Sequence, residues 1–568
     1  MSGRSDLRWI FAVQAVLLAV AGWRNLHQLN PDAIAYLRIA GYYAGGQVDL
    51  AVTGYWGPLL SWLMVPLLKA GVAPLVAARV VMAVSGVVFL CGAMAVFRAF
   101  RLPRAALLTG AWMAMGWSVF WSVRHITPDL LMAGLVALAV SATVEAVLAP
   151  CRRLGVAVSS PSASEEAATA SRRHGSVARR AIAAGMWWGL AYLAKAVALP
   201  LAVLTTAGLA LFALSGRGEL RREIARRLGF VWLCTALVAL PWIGVLSLHY
   251  GKFTFSTTGP IAHALAGSGE QARYHPAMVT LHQPDAGRVT QWEEPSRMAY
   301  VHWSPFASGE NFRHQLAVVA KNAATLVDWL WGVRWLSGAD DPRGAARMLP
   351  GFDLLGLSLA GVVGGAVVLF THRRRSTRVR WSWAAVPVLC LGGLYLPFFV
   401  MAEDNRYFHA ALPFVWVLVI GAWGWASRQH WEWAKRIRPT VFRVVDWAFL
   451  VPPVLWLAMA MFGIPNAASH AAQELAAQLK AGGLRGPVAG SGLLPGGRAG
   501  LYTAFVLGER WLGDDPQAGP AEFLAGGARM VVVRSGSRQA EAFTLDSRWR
   551  PAPSGPAATL RVFIRENP

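Results

Sequence analysis

Seven ionisable side chains stand beside long apolar stretches of this 568-residue sequence. Charges near or within the hydrocarbon are costly, about 3 kcal/mol each at the centre of a spanning helix on insertion scales, so a group of such charges indicates a substrate path or a binding site. Taken singly, each residue is explained equally well as an anchor at the membrane surface, but the presence of both signs favours a site. The seven are Asp32, Arg124, His125, Asp129, Lys195, Glu403 and Arg406.

The two aspartates each follow a proline. Asp32 follows Asn30-Pro31, which starts a turn before a short predicted helix that contains Tyr36, and Asp129 ends the run Thr-Pro-Asp. A helix N-cap is the structural alternative for both. The functional alternative is a carboxylate that accepts the proton of an attacking hydroxyl, with the second carboxylate and Arg124 positioning a polar acceptor.

Composition places these groups in a membrane protein. Hydrophobic residues make up 55% of the chain and charged residues 15%, whereas an ordinary soluble protein has about 25% charged residues. The net charge of +23 comes from basic residues that cluster in short runs between apolar spans. This pattern follows the positive-inside rule and offers no continuous basic stripe for a duplex, so no nucleic-acid partner is expected.

The apolar stretches predict about eleven transmembrane helices. A span needs about 20 apolar residues, and Lys and Arg mark the cytoplasmic side. With the N-terminus in the cytoplasm, every basic cluster falls on the cytoplasmic side of the membrane and the seven candidate charges fall on the external side. The predicted spans cover residues 7–26, 75–97, 105–121, a fourth span after 129, a hairpin within 181–215, then 228–248, an eighth ending near 373, 383–401, 408–425 and 447–464.

The spans divide the chain into two predicted domains. Residues 1–464 form a transmembrane module with external loops over 27–74 and 249–350, and the Ser-, Ala- and Arg-rich residues 150–180 read as a disordered cytoplasmic loop. Residues 465–568 lie outside as a small α/β domain. Its pattern predicts an amphipathic helix over 467–480 and strands over 530–533 and 560–564.

No metal site is expected. The large external loop has histidines and adjacent glutamates, Glu293 and Glu294, but no HxxxH or HExxH spacing, so these histidines are interpreted as solvated. Segments 292–295 and 302–306 are expected to cover the site, and residues 311–335 to form an amphipathic helix along the outer interface. The loop histidines are His249, His263, His275, His282, His302 and His314.

Three short motifs carry a family resemblance. They are Pro-Asp-x-x-x-Tyr at 31–36, Gly-Leu-Ala-Tyr-Leu-Ala-Lys at 189–195, and Glu403-x-x-Arg406-Tyr407 before a span that contains a proline. In this order the sequence resembles the GT-C membrane glycosyltransferases. It is most similar to the family 39-like branch, which includes the protein O-mannosyltransferases and the lipid A aminoarabinose transferases, and the resemblance extends over the whole architecture.

The resemblance implies roles for individual residues. Asp32 takes the position of the catalytic aspartate and Asp129 that of the second-loop acid. Lys195 and Arg406 match basic positions that hold the phosphate of a polyprenyl-phosphate sugar, and Tyr407 helps to orient it. Cations beside a low-dielectric membrane also suit that task on physical grounds, because charge-assisted contacts to phosphate are strong there. Tyr36, Arg124, His125 and Glu403 are assigned to acceptor binding or support.

The sequence also departs from these relatives. Ala33 replaces the second acid that follows the catalytic aspartate in protein O-mannosyltransferases, which weakens a protein-mannosylating assignment. The first loop has no Asp-x-Asp, which disfavours a metal-dependent oligosaccharyltransferase. The phosphate loop GxxxxGK[ST] is absent, so a nucleotide sugar is not the expected donor.

We therefore predict an inverting glycosyltransferase in a bacterial inner membrane, with its C-terminal domain periplasmic. It would use a polyprenyl-phosphate sugar, without metal, and a glycan, lipid or protein as acceptor. The alternative is a transporter or flippase of a lipid-linked anion, which would need functional charges on both sides and repeated halves. A third alternative is a catalytically inactive scaffold, favoured if Asp32 only caps a helix.

Overall fold

The computed structural model describes residues 5–148, 163–214, 218–268, 275–330, 375–397, 405–426, 449–463, 467–493, 498–552 and 560–566. These residues are mostly helical. The helices of the N-terminal part are α1 (Ser5–Arg24), α2 (Pro31–Ala44), α3 (Val48–Ala51), α4 (Pro58–Lys69), α5 (Pro74–Ala99), α6 (Arg104–Arg124), α7 (Asp129–Leu148), α8 (Ala163–Ala194), α9 (Ala198–Leu214) and α10 (Gly218–Tyr250).

The remaining helices follow in chain order. They are α11 (Thr258–Leu265), α12 (Pro276–Val279), α13 (Gly309–Leu330), α14 (Arg375–Tyr395), α15 (Leu412–Ala426), α16 (Phe449–Phe462), α17 (Ala467–Ala481), α18 (Ala499–Leu507), α19 (Pro520–Ala525) and α20 (Arg538–Leu545). Single turns of 3₁₀-helix cover Gln291–Glu293, Pro295–Arg297 and Asn405–Phe408.

By length and composition, four helices of the described residues can cross a bilayer. They are Pro74–Ala99, Arg104–Arg124, Asp129–Val147 and Arg221–Tyr250, and shorter apolar helices include Leu412–Gly421 and Phe449–Phe462. The predicted eighth span lies outside the described residues. The chain is a multi-pass membrane protein.

Small residues let the long helices pack closely. α7 packs against α5 on one side and α8 on the other. Where α5 and α7 cross, a Cβ on Gly92 would lie 2.3 Å from the carbonyl oxygen of Gly134. Backbones approach in this way at membrane helix interfaces, where dispersion rather than water exclusion drives packing.

The structure corrects the loop predicted over 150–180. Residues 163–180 are the first half of α8, because alanines, two early glutamates and arginines are good helix formers in a favourable order for the helix dipole. The rest of that segment, up to residue 162, is not among the described residues. The predicted hairpin within 181–215 is confirmed, with the break between α8 and α9 at residues 195–197.

The C-terminal residues form a five-stranded mixed sheet. Its strands are β1 (Val488–Ser491), β2 (Trp511–Asp514), β3 (Met530–Arg534), β4 (Trp549–Pro551) and β5 (Leu560–Arg565), in the order β2-β1-β3-β5-β4. β1 runs parallel to β2 and β3, and β5 antiparallel to β3 and β4. The amphipathic helix expected from residue 467 is α17. The helix expected over 311–335 is observed over 311–330, as part of α13.

The segment before Gln291 lies along the edge of this sheet. The amide of Trp511 donates to the Val289 carbonyl at 2.8 Å, and the amide of His282 donates to the Leu512 carbonyl at 2.9 Å. Gly513 has φ 105° and lies so close to Thr280 that a side chain there would strike its carbonyl. The C-terminal sheet is thereby tied to the segment that leads into Gln291–Glu293.

Candidate functional site

An ion pair joins two residues that lie 374 positions apart in the sequence. Arg406 Nη1 donates to Asp32 Oδ2 at 2.6 Å. Asp32 lies in the first turn of α2, and Arg406 lies in the 3₁₀ turn Asn405–Phe408. The N-cap of α2 is Asn30, without a side-chain cap hydrogen bond, so the N-cap interpretation of Asp32 is wrong.

A second ion pair adjoins the first. Lys195 Nζ donates to Asp129 Oδ1 at 2.5 Å, and Asp129 Oδ2 lies 3.9 Å from Arg406 Nε. Asp129 is the first residue of α7, and Lys195 follows the last residue of α8. The four charges therefore alternate in sign along the row Asp32, Arg406, Asp129, Lys195. We call this row the charge cluster.

An aromatic ring supports both cations. Lys195 Nζ lies 4.2 Å from the centre of the Tyr407 ring, and the Arg406 guanidinium lies 5.3 Å from it. The Tyr395 ring packs against the Tyr407 ring, with the two centroids 5.4 Å apart. Cations over an aromatic face are stabilised by its quadrupole, so Tyr407 fixes their positions while leaving hydrogen-bonding protons for an anion.

The two carboxylates differ in exposure. The Asp32 side chain is 15% exposed and that of Asp129 is 2% exposed, while Arg406 and Lys195 are 12% and 22% exposed. A small molecule can therefore reach Asp32 and both cations, whereas Asp129 is enclosed. Asp129 is suited to holding the cations and Asp32 to reacting.

Buried contacts hold these elements in register. The side-chain oxygen of Asn30 accepts from the Ile126 amide at 2.9 Å, which fixes the start of α2 beside the start of α7. The buried guanidinium of Arg79 donates to the carbonyls of Val123 and Gln28. Before α4, a Cβ on Gly57 would lie 2.2 Å from the Ala194 carbonyl, so the backbone passes directly over the end of α8.

The other predicted site residues have mixed outcomes. Tyr36 lies one turn after Asp32 and is buried against Trp56, with ring centroids 5.2 Å apart. Burial, and to a smaller extent the negative charge of Asp32, raise the pKa of Tyr36 well above its usual value.

The other three predicted residues lie outside the charge cluster or outside the described residues. His125 stacks on Trp121. Arg124 lies over the Phe120 and Trp121 rings rather than in the charge cluster. Glu403 lies outside the described residues.

Sequence reasoning missed a second group beside Asp32. The Tyr55 hydroxyl and His275 Nε2 are 3.1 Å apart, and both rings pack against Trp292. Burial raises the pKa of Tyr55, with further contributions from Tyr407 and Asp32. Burial lowers the pKa of His275 to about 4, so this ring is neutral at physiological pH. No local motif marks either residue, and the apolar surroundings that bring them together come from separate segments.

The glutamates of the external loop are enclosed by the protein. Glu293 Oε1 accepts from the amides of Val289 and Thr290, and Oε2 accepts from the Tyr42 hydroxyl at 2.5 Å. Glu294 accepts from the Tyr250 hydroxyl at 3.2 Å. Segment 292–295 thus packs into the protein beside the site.

The prediction that the loop histidines are solvated is wrong for several of them. His263 stacks on Trp303, and His314 Nε2 lies 2.8 Å from the Ala266 carbonyl oxygen. His302 is exposed, as expected. Within the described ranges, no three His, Cys, Asp or Glu side chains are grouped in a way that suits a metal ion.

Comparison with solved structures identifies the fold. No protein-family model matches the sequence, and no curated protein matches it. The crystal structure of ArnT from Cupriavidus metallidurans bound to undecaprenyl phosphate is 15% identical with a TM-score of 0.54, covering 99% of this chain and 98% of that one. Its apo form is 14% identical with a TM-score of 0.52, covering 98% of both chains.

An archaeal structure has the same architecture. The oligosaccharyltransferase of Archaeoglobus fulgidus in its apo form is 13% identical with a TM-score of 0.51, covering 93% of this chain and 69% of that one. Both enzymes are GT-C glycosyltransferases. At these identities the comparison shows the fold, and the chain has the GT-C fold expected from its motifs.

Proposed function

Starting from the GT-C fold, we propose that this protein is an inverting glycosyltransferase that moves a sugar from a polyprenyl-phosphate donor to an acceptor hydroxyl or phosphate. The observation that carries the proposal is the charge cluster, in which two accessible cations are each held by a carboxylate. The solved relative that contains undecaprenyl phosphate supports a donor of this class.

Arg406 and Lys195 would bind the donor phosphate. Both side chains are partly exposed and lie on the Tyr407 ring, so their positions are fixed before the lipid arrives. Preorganised cations of this kind stabilise the negative charge that develops on a leaving phosphate. Asp129 would be a positioning residue, because its enclosed carboxylate bonds Lys195 and lies near Arg406.

Asp32 would be the general base. The acceptor hydroxyl loses its proton to the Asp32 carboxylate while its oxygen forms a bond to the anomeric carbon. The bond from that carbon to the phosphate oxygen breaks on the opposite face, and the electron pair leaves with polyprenyl phosphate. Because the leaving group is a phosphate, no general acid is required, and the configuration at the anomeric carbon inverts.

Donor binding would also activate the base. In the structure Asp32 is bonded to Arg406, so the carboxylate and a donor phosphate would compete for the same guanidinium. When the lipid phosphate takes over Arg406, the Asp32 carboxylate is released and its oxygens are open to the acceptor hydroxyl. This exchange would prevent Asp32 from reacting before the donor is present.

The remaining features of the proposal concern placement. We place the charge cluster on the outer face of a bacterial inner membrane, with eleven spans, a cytoplasmic N-terminus, and residues 465–568 as an external domain beside the 1–464 module. Polyprenyl-linked sugars are presented on that face. The phosphate would be neutralised by Arg and Lys without metal, and the acceptor would be a glycan, lipid or protein.

The proposal is tested with purified full-length protein and a panel of radiolabelled polyprenyl-phosphate sugars in the presence of membrane extract. Loss of donor with label appearing in the lipid, glycan or protein fraction would support the enzyme and name the acceptor class. Intact donor across the panel, together with movement of lipid-linked anion between leaflets of proteoliposomes, would support the transporter instead.

A further inference from the structure

Four aromatic rings from two distant segments pack into one group. Tyr55 and Trp56 lie in the connection between α3 and α4, His275 directly precedes α12, and Trp292 lies in the 3₁₀ turn after it. The Trp56 ring lies 4.7 Å from that of Tyr55 and 5.1 Å from that of Trp292, and Trp56 Nε1 donates to the Trp292 carbonyl at 2.9 Å. The His275 and Trp292 rings are 4.7 Å apart. We call this group the aromatic wall.

Two contacts fix the aromatic wall beside the charge cluster. On one side the Trp56 ring packs against Tyr36, with centroids 5.2 Å apart, and Tyr36 lies one helical turn after Asp32 on α2. On the other side the backbone of Gly57 lies against the carbonyl of the residue that precedes Lys195. The wall is therefore held by the helix that carries the proposed base and by the end of the helix before the phosphate-binding lysine.

The aromatic wall has a closed side and an open side. Trp56 and Trp292 are buried, with 7% and 5% of their surface exposed. Tyr55 and His275 are partly exposed. The wall therefore presents Tyr55 and His275 to a ligand, and the two tryptophans support them from behind.

A hydrogen bond on the open side fixes the Tyr55 hydroxyl. Its oxygen lies 3.1 Å from His275 Nε2. The His275 ring is neutral at physiological pH, with its pKa lowered to about 4 by burial, so one ring nitrogen carries a proton and the other accepts one. Among the described residues, Nδ1 has no hydrogen-bond partner. Buried N–H groups without an acceptor are rarer than buried acceptors without a donor, which assigns the proton to Nε2.

This tautomer leaves the proton of the Tyr55 hydroxyl available. Because His275 Nε2 donates to the Tyr55 oxygen, the hydroxyl proton must be given to a different acceptor. No side chain or carbonyl of the described residues accepts it. A hydroxyl that donates from a fixed position on an aromatic surface is typical of ligand pockets, where a few polar groups orient the ligand.

We propose that Tyr55 donates a hydrogen bond to a hydroxyl of the donor sugar, which lies against the aromatic wall. This inference rests on the proposed function. A sugar joined to a phosphate on Arg406 and Lys195 is next to the wall, because the wall is fixed to the elements that carry Lys195 and Asp32. His275 is a positioning residue that acts through the Tyr55 hydroxyl. A sugar hydroxyl of the acceptor offers the same chemistry, and the experiment distinguishes the two sources.

The test compares two affinities of the purified full-length protein, measured by fluorescence titration. The probes are undecaprenyl phosphate and undecaprenyl phosphate that carries glucose, mannose, galactose or arabinose. The ratio of the affinities with and without sugar isolates the contribution of the sugar. For the sugar that the wild type binds best, Tyr55→Phe should lower this ratio about threefold to tenfold, because one hydrogen bond is lost. Its affinity for undecaprenyl phosphate should stay within twofold of wild type.

The matched control makes the same change elsewhere on α2. Tyr43→Phe removes the hydroxyl of a ring that packs against Trp62, and both affinities should stay at the wild-type value. An unchanged ratio in Tyr55→Phe with a raised KM for the acceptor would overturn the donor assignment and give the hydroxyl to the acceptor. If the ratio and that KM are both unchanged, Tyr55 recognises neither substrate and the inference is wrong. A wild type that binds none of the lipids and transfers no sugar would contradict the proposed function itself.

His275→Phe tests the positioning role, since it keeps an aromatic ring in the wall and removes the donor to Tyr55. The affinity ratio should fall about threefold. Combined with Tyr55→Phe, it should cause no further loss, because the hydroxyl through which His275 acts is already absent. Additive losses would overturn this role.

A measurement on the wild type keeps the sugar contact testable if Tyr55→Phe lowers the ligand-free melting temperature. Monodeoxy analogues of the best-bound sugar, carried on undecaprenyl phosphate, each lack one hydroxyl. One analogue should bind about threefold to tenfold more weakly than the parent lipid. Equal affinities for the parent and all analogues would overturn the contact.

Discussion

Two carboxylates of this protein, those of Glu293 and Asp32, differ in how their oxygens are hydrogen-bonded. Glu293 is fully buried, and its two oxygens accept from two backbone amides and the Tyr42 hydroxyl. Asp32 is 15% exposed and has one short contact to Arg406. Burial with complete hydrogen bonding suits a structural role, and partial exposure with a single exchangeable partner suits a reactive one.

The comparison explains why charge alone does not mark a site. Both groups combine acids with arginines, and Arg38 lies 3.6 Å from Glu293 much as Arg406 lies near Asp32. Both oxygens of Glu293 already accept hydrogen bonds, so neither is left for a substrate. In the charge cluster a phosphate can replace the Asp32 carboxylate on Arg406, so the interaction is open to competition.

Asp32→Asn should give the largest effect. Replacing the proposed base removes the proton acceptor, and turnover in sugar transfer should fall about 10²- to 10⁴-fold. The melting temperature should stay close to wild type, because Asp32 is partly exposed and caps no helix. Turnover within threefold of wild type would remove Asp32 from the mechanism.

Arg406→Gln should weaken binding of undecaprenyl phosphate by about tenfold to a hundredfold, since a charge-assisted contact to the phosphate is lost. Fluorescence titration of the purified protein measures this affinity. Arg313→Gln, at an exposed position on α13, is the matched control and should bind as the wild type does. Equal affinity for the two variants would place the phosphate elsewhere.

Glu293→Ala should affect stability and not chemistry. It leaves Tyr42, Arg38 and Arg288 without the carboxylate that they face, and the expected loss is about 3 kcal/mol in the free energy of unfolding. Turnover per folded molecule should remain within threefold of wild type. A large fall in turnover without a fall in melting temperature would contradict the distinction between the two groups.

The smallest expected effect is a pH dependence from His275. Its pKa is lowered to about 4 in the folded protein, from an ordinary value near 6.5, so the unfolded chain binds more protons between those values. Stability should therefore fall as pH falls from about 6.5 to about 4. His275→Asn should show a shallower decline in melting temperature over that range, and an identical slope would contradict a buried neutral ring.

The sequence analysis included the four members of the charge cluster among its seven candidates, because each stands at the end of an apolar stretch, where a charge is conspicuous. It did not predict which charges pair, since Asp32 and Arg406 are separated by 374 residues and no local pattern encodes that contact. Tyr55 and His275 gave no signal for the same reason. The histidines were expected in solvent because they lie in a long polar segment, but packing against tryptophans and against β2 encloses several of them.

The fold shows the same division between local and distant information. Apolar stretches and basic clusters predicted the break between α8 and α9, whereas Ser-rich composition concealed the start of α8 over 163–180. The helix-forming tendency of its alanines was the overlooked signal. The C-terminal sheet has both parallel and antiparallel strand pairs. Their order depends on which distant strands pair with each other, and the sequence patterns of single strands do not predict that.

The most direct test measures the affinity of Asp32→Asn for undecaprenyl phosphate beside its turnover. If the lipid phosphate displaces the Asp32 carboxylate from Arg406, removing that carboxylate's charge should leave the affinity equal to wild type or raise it several-fold while sugar transfer is lost. A parallel fall in affinity and turnover would contradict the exchange, and it would show that Asp32 supports the phosphate site rather than competing for it.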